Sequence, residues 1–451
     1  MTTLVNNDDP PRRTDELRIV PANTALPQPP ADQHIEQIAG RQDLLPVSTP
    51  AIVLLVLATF GSGMAMIVPM AYSLAVRLDQ IAPGRPDLLG YLLGIGSAAT
   101  LVAAPLTGVL SDRTRSRWGR RRPFTVIGIM LAVASIPFLV LAPNVPILGL
   151  GWVLSTVGWN TAGGSIGNWQ ADRLPPQQRG KVSGITALTM QISPVIGILI
   201  VSTVRADTLL VFAIPALVGV VLTGAFAILA HDPDSRAIEH AHALTVGRLI
   251  RSYAFRPKAF PDFTWNWTGR FVFFLGLTLT TSFTVYFYAQ RLDLAVADVA
   301  GIMALTSALS IGTASLGSLG GGWLSDRSGR RKPLVVAGAI LFAGGCAVSA
   351  FAGNLPALVT GSLIASLGIA TFSAVGQALS LDVLPHRDTE AGRYMAITLF
   401  SQKIPGVLAP IAAPLVLVLG GGENFLALYL IAAGLALVGG ITIGFGVRRA
   451  R

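Results

Sequence analysis

Residues Gly108–Phe124 read GVLSDRTRSRWGRRRPF, six arginines against one aspartate, wedged between two long apolar stretches. A shorter copy, GWLSDRSGRRKP, returns at Gly322–Pro333. Charge is costly inside a bilayer, so both copies read as loops in water between segments in lipid. Asp112 and Asp326 stand 214 residues apart. A charged loop repeated at that interval predicts two homologous membrane bundles. Other landmarks keep the same order. Asp172-Arg173-Leu174-Pro175 matches Asp382-Val383-Leu384-Pro385 at an offset of 210, Gln191-x-x-Pro194 matches Gln402-x-x-Pro405 at 211, and Gly180-Lys181 matches Gly392-Arg393 at 212. Loop insertions account for the drift. Two six-helix halves in parallel topology follow.

The composition agrees. Of 451 residues 52% are hydrophobic and 12% charged, about half the charged share of a soluble domain. With mean hydropathy at +0.62, the chain reads as an all-α polytopic membrane protein. A net charge of +10 does not point to nucleic acid, because the basic residues cluster in short loops beside apolar spans and orient the protein there. The single cysteine, Cys346, lies in an apolar span, which rules out an intramolecular disulfide.

Apolar runs long enough to cross a bilayer recur twelve times. They fall at 51–76, 87–110, 124–142, 146–170, 182–204 and 207–230, then at 264–289, 297–324, 334–352, 355–381, 393–419 and 424–446. The loops after spans 2, 4, 8 and 10, counted with Arg393 at the start of span 11, carry fifteen basic residues, and those after spans 1, 3, 5, 7, 9 and 11 carry only Arg77, Arg85, Arg205 and Arg291. The positive-inside rule then places both termini in the cytoplasm of a cell whose plasma (inner) membrane holds the protein. The expected organisation is a disordered tail at 1–48, a bundle at 49–230, a linker at 231–262, a second bundle at 263–447 and a basic end at 448–451. Within the linker, Leu244, Val246, Leu249, Ile250 and Tyr253 alternate with Arg248, Arg251, Arg256 and Lys258. That pattern predicts an amphipathic helix on the anionic surface, although a plain tether explains the segment as well.

The pattern Gly322-x-x-x-Asp326-Arg327-x-Gly329-Arg330-Arg331-Lys332 resembles the signature of the major facilitator superfamily. The longer first copy, Asp112-Arg113 through Arg120-Arg121-Arg122-Pro123-Phe124, looks like the same loop in sucrose–proton symporters and their bacterial relatives. The resemblance implies a gate in which Asp112 and Asp326 each face the start of a helix in the other half. A carboxylate is favoured there by the helix N-terminus and by neighbouring arginines, here Arg113, Arg120 and Arg121 or Arg327, Arg330 and Arg331. Asp172 with Arg179, and Asp382 with Arg387 or Arg393, are further candidates for that network. A purely topological role for these loops is the alternative.

Solute is expected at the midplane between the halves, against polar side chains that lipid does not tolerate. The candidates are Ser62, Asn160, Gln191, Thr281, Ser282, Thr371 and Gln402, with Trp159 as a platform for a sugar ring. Amides and hydroxyls suit a neutral polyol because they both donate and accept. Interhelical hydrogen bonding explains any one of them equally well. Arg270 and Lys403 are cations inside spans, and no span has an acid near its midpoint, so an anionic substrate is a second possibility. Gly90/Gly94, Gly163/Gly167 and Gly440/Gly444 read as close-packing pairs.

One departure matters. In sucrose symporters the fourth span runs roughly Asn-x-x-Gln-Gly-Pro-x-Arg, and aligning on Asn160 places Gly163, Ser165 and Gly167 where the glutamine, proline and arginine stand. Gly163-Gly164-Ser165-Ile166-Gly167 also fits a hydrolase elbow, yet it lies in a helical span with no histidine partner. There is no phosphate-binding Gly-x-x-x-x-Gly-Lys-Ser/Thr loop. Neither enzyme activity nor any cofactor is therefore expected. The sequence predicts a secondary transporter acting as a monomer on a small-molecule solute in the lipid bilayer, with a sugar or glycoside as best guess and a proton as candidate co-substrate. An organic-anion exchanger or uniporter using Arg270 and Lys403, and an exporter of amphipathic compounds, are the alternatives.

Overall fold

The computed structural model describes residues 46–204, 207–236, 255, 257–386, 390–418 and 424–448. The proposed tail and the amphipathic stretch of the linker lie largely outside these residues, as do Arg205 and Arg387. Over the described residues the chain is helical. The first half comprises α1 (Thr49–Val68), α2 (Leu74–Ile81), α3 (Asp87–Arg113), α4 (Arg122–Val140), α5 (Val145–Arg173), α6 (Pro176–Ser202) and α7 (Thr208–Leu229). The second comprises α8 (Pro261–Ser282), α9 (Thr284–Leu292), α10 (Ala300–Ser328), α11 (Arg331–Ala350), α12 (Leu355–Asp382), α13 (Ala391–Leu417) and α14 (Phe425–Gly446).

Each of the twelve apolar runs corresponds to one helix or one broken pair. The first run is interrupted by a π-turn at Pro69–Ser73 between α1 and α2, and the seventh bends by 54° between α8 and α9. Ten helices among the described residues are long and apolar enough to cross a membrane, or eleven if α8 and α9 form one span. The remaining helix, α5, has the length, at 29 residues, but not the hydropathy. Ser155, Thr156, Thr161 and Ser165 on it are buried against protein, so its polar groups face neighbouring helices. Elsewhere apolar side chains point outward as lipid-facing residues must. Ile228, Leu319, Leu415 and Phe445 are 75%, 74%, 73% and 84% exposed, a surface no soluble monomer presents.

The repeat shows in local chemistry. Asn144 caps α5 by accepting from Ile147 N at 3.1 Å, and Asn354 caps α12 by accepting from Ala357 N at 2.9 Å, each just before a proline in the first turn. Helix pairs α4–α5 and α11–α12 meet through matched glycines. A Cβ on Gly128 would stand 2.6 Å from the Gly158 carbonyl, and one on Gly338 would stand 3.0 Å from that of Gly368. These contacts bring backbones together as small residues do in lipid. Of the glycine pairs read from the sequence, Gly90/Gly94 abuts Pro410 and Ile411, and Gly440/Gly444 abuts α11. Gly163/Gly167 packs against nothing closer than Ser62 at 3.8 Å.

Candidate functional site

The halves touch through α3 against α13 and α6 against α10, a reciprocal arrangement under the repeat. On α3 the contacts with α13 fall at Gly90 and Gly94, toward the end away from the basic loops. At the basic end Asp112 and Asp326 are exposed, and a Cβ on Gly108, Gly180, Gly184, Gly320 or Gly322 would meet nothing within 4 Å. The halves therefore converge at one end and part at the other.

Between them lies a cavity of about 350 Å³. Its wall is hydroxyl-rich: Thr280, Thr281, Thr284, Tyr288, Thr306, Ser307, Ser310, Ser349, Ser362, Ser366 and Tyr429 all border it. From the first half come only Gln191, Pro194 and Val195, and no Asp, Glu, Lys, Arg or His among the described residues borders it. Several hydroxyl protons are already committed to the protein. Thr280 donates to Leu277 O at 2.9 Å, Thr284 to Thr280 O at 3.0 Å, Thr306 to Ile302 O at 2.8 Å and Ser366 to Ser310 O at 3.2 Å. Their oxygens keep free lone pairs, while Gln191 brings an amide that also donates. Such a wall accepts hydrogen bonds more than it gives them, and it suits a solute rich in O–H groups.

The sequence candidates divide. Gln191 and Thr281 border the cavity, whereas Gln402, the repeat counterpart of Gln191, is half-buried and does not. Asn160 donates to Thr156 O at 2.8 Å and toward the Met66 sulfur at 3.5 Å. Trp159 is 2% exposed and packed on Gly219 and Ala65, so neither ring face is open to a sugar here. Thr371 is buried and donates to Leu367 O at 2.9 Å. Ser62 donates to Thr59 O at 3.3 Å. Arg270 is 0% exposed, with Nε and Nη1 unpartnered and the guanidinium 5.5 Å from the Phe274 ring centre, and it does not border the cavity. Lys403 is exposed. It stands one and two turns before Val407 and Ile411, which abut Gly94, so it faces the seam between α13 and α3.

Sequence reasoning missed most of the wall, although Thr280/Thr284, Thr306/Ser310 and Ser362/Ser366 are hydroxyl pairs four residues apart, hence on one helix face.

At the basic end the charged residues of the first half form one cluster and those of the second half form two pairs among the described residues. Arg121 Nη2 meets Asp112 at 2.6 Å, its Nε meets Asp172 at 2.8 Å and its Nη1 donates to Ser111 at 2.9 Å, while Arg120 reaches Asp172 at 2.9 Å. Burial lowers the pKa of Arg121, but the hydrogen bond and charge of Asp172, with those of Asp112, outweigh it and leave the pKa raised. Asp232, which the sequence did not single out, accepts from Arg121 N at 2.8 Å at the start of α4. In the second half Arg331 meets Asp382 at 3.0 Å and Arg393 meets Glu390 at 3.0 Å. Arg327 lies 5.3 Å from the Trp323 ring centre. Arg179 donates to Leu174 O at 3.1 Å rather than to a carboxylate. Arg330 and Asp326 are exposed, and Arg113 is half-buried at the end of α3. Each of these ion pairs lies within one half.

A sequence profile described as the Major Facilitator Superfamily matches residues 51–320 and 297–451. An uncharacterized symporter of Synechocystis is 39% identical over 61 residues, 14% of this chain and 11% of that protein. Solute carrier family 45 member 3 of Macaca fascicularis is 35% identical over 89 residues, 19% of this chain and 16% of that protein. The matches thus span only a small part of these curated relatives. Among solved structures, a point mutant of the nucleoside transporter NupG superposes with a TM-score of 0.72 at 14% identity, covering 87% of this chain and 98% of that one. A D-xylose-proton symporter gives 0.70 at 14% identity, covering 90% and 99%. At that identity the likeness is one of fold.

Proposed function

The chain belongs to the major facilitator superfamily, and on that premise we propose that it carries a neutral, hydroxyl-rich solute of the sugar or glycoside class. It is a membrane transporter and not an enzyme. The observation that carries the solute class is the cavity wall, with many hydroxyls, one amide and no charged side chain among the described residues. A charged solute would leave its hydration shell there without a counter-charge. A polyol exchanges its water for acceptors already in place. The short matches to a symporter and to a solute carrier support a small-molecule solute.

In this reading the conformer is open toward the basic face, which the positive-inside rule makes cytoplasmic. Asp112 and Asp326 engage the opposite half when the basic end closes and the other end opens. Arg121 keeps Asp112 and Asp172 ordered meanwhile, and Arg331 does the same for Asp382. Proton coupling belongs to the same proposal, with no carboxylate among the described cavity residues to carry it. Thermal-shift titration of the purified protein with sugars, glycosides, nucleosides and organic anions tests the solute class. Stabilisation by sugars or glycosides supports it, and stabilisation by organic anions alone defeats it.

The position of Lys403 favours a second reading. Its ammonium faces the seam between the halves, where an organic anion passing the cavity mouth would meet it.

A further inference from the structure

Two tyrosines tie the halves together at the end away from the basic loops, and each sits beside a helix break. Tyr72 lies in the π-turn between α1 and α2 and donates to the Ala297 carbonyl of the second half at 2.6 Å. Tyr286 lies on α9, just past the 54° bend, and donates to the Ala75 carbonyl of the first half at 3.1 Å. The two are 214 residues apart, the spacing of Asp112 and Asp326, which makes them repeat counterparts. Both rings are buried, at 0% and 7% exposed. Little water therefore competes for either bond, and parting the halves breaks both.

We propose that Tyr72 and Tyr286 are reciprocal positioning residues that latch this end of the transporter shut, and that Tyr286 links the latch to the solute cavity. The proposal rests on the alternating-access reading but not on the identity of the solute. The link runs through α9. Tyr288, two residues after Tyr286, borders the cavity and shares a hydrogen bond with Ser362 at 2.7 Å. Phe287 stacks on Tyr429, another wall residue, with ring centres 3.7 Å apart. A swing of α9 that frees Tyr286 must shift this wall, so opening the end and loosening the solute become one event. Tyr72 has only a longer route, because neither its π-turn nor α2 borders the cavity and its partner Ala297 lies six residues before Met303, the first α10 residue on the wall. The two halves of the latch therefore differ in what they report.

The test uses the full chain in lipid nanodiscs without solute. Nitroxides at L141C and F351C report the gap, since Leu141 and Phe351 are 75% and 70% exposed at the outer ends of α4 and α11. Protein carrying only Cys346 serves as the labelling control. Tyr72→Phe and Tyr286→Phe keep the buried ring and remove the hydroxyl that bonds the opposite half. The longer-distance population should rise about fivefold in each, and about 25-fold in the double variant if the bonds act independently. In uptake assays Tyr286→Phe should raise KM, whereas Tyr72→Phe should change the maximal rate at nearly constant KM. Unchanged distances in both variants overturn the latch, and a shift in only one overturns its reciprocity. Equal effects on KM overturn the link through α9. Because the distances are recorded without solute, a wrong solute class leaves this outcome untouched.

Discussion

Arg121 and Asp172 meet at 2.8 Å, and 210 residues later Arg331 and Asp382 meet at 3.0 Å. The two pairs occupy equivalent places but not equivalent environments. The side chain of Arg121 is 6% exposed and also holds Asp112, while that of Arg331 is 26% exposed. Removing Arg121 takes that ion pair from Asp112 and leaves Asp172 with Arg120 alone. Arg121→Gln should lower stability by about 2–4 kcal/mol, short of a fully buried pair because both aspartates keep some solvent. Arg331→Gln should cost about 1 kcal/mol or less. Thermal unfolding in detergent checks the order, and equal losses would mean that burial does not set the difference.

The matched glycines make a sharper test of packing. Gly128→Ala and Gly338→Ala push a methyl into the facing backbone, so each should destabilise by about 1–3 kcal/mol. A Cβ at Gly164 or Gly167 meets nothing within 4 Å. Alanine there should be neutral or gain up to about 1 kcal/mol from helix propensity. The same unfolding assay measures all four.

Gln191 is the one amide on the cavity wall and the one polar side chain the first half contributes to it among the described residues. Gln191→Leu should lower kcat/KM for a sugar or glycoside about tenfold, the loss of one well-placed hydrogen bond. Trp159→Phe should leave KM within about twofold, since the ring is packed on Gly219 and Ala65 and contributes no bond to the solute. Initial uptake rates over a range of solute concentrations decide both.

Lys403 separates the two solute readings. For a neutral solute, Lys403→Gln should leave KM nearly unchanged, because the side chain lies outside the cavity. A rise in KM of about tenfold for an organic anion, the loss of one charge contact, with sugars untransported, would favour the second reading. Parallel uptake assays at fixed internal pH separate these outcomes.

The fold was legible because its signals are long and repeated: runs of apolar residues, one charged loop in two copies, and landmarks about 210 residues apart. The halting points were local. Pro69 interrupts the first span as a π-turn, and no comparable signal marks the bend at Phe283. α5 reads as a span by length, yet it is too polar to pass on hydropathy because its Ser and Thr face protein. The charged ends were visible in outline, but the sequence set Asp172 beside Arg179 where the structure gives it Arg120 and Arg121, and Asp232 reaches Arg121 from 111 residues away and leaves no pattern. The solute wall was harder still. Trp159 has the chemistry of a sugar platform and is buried by Gly219, a contact that only three dimensions reveal. Thr280, Thr306 and Ser366 look like ordinary helix-bonded hydroxyls in sequence, and they become a site only when three helices place them around one space.

The central claim, a neutral hydroxyl-rich solute in a charge-free cavity, is tested most directly by counterflow into proteoliposomes. Vesicles preloaded with unlabelled sugar or glycoside are diluted into the labelled compound, with and without a proton gradient, beside matched sets for nucleosides and organic anions. The account predicts a transient overshoot for at least one sugar or glycoside and none for the anions. An overshoot with organic anions and none with any sugar or glycoside would contradict it.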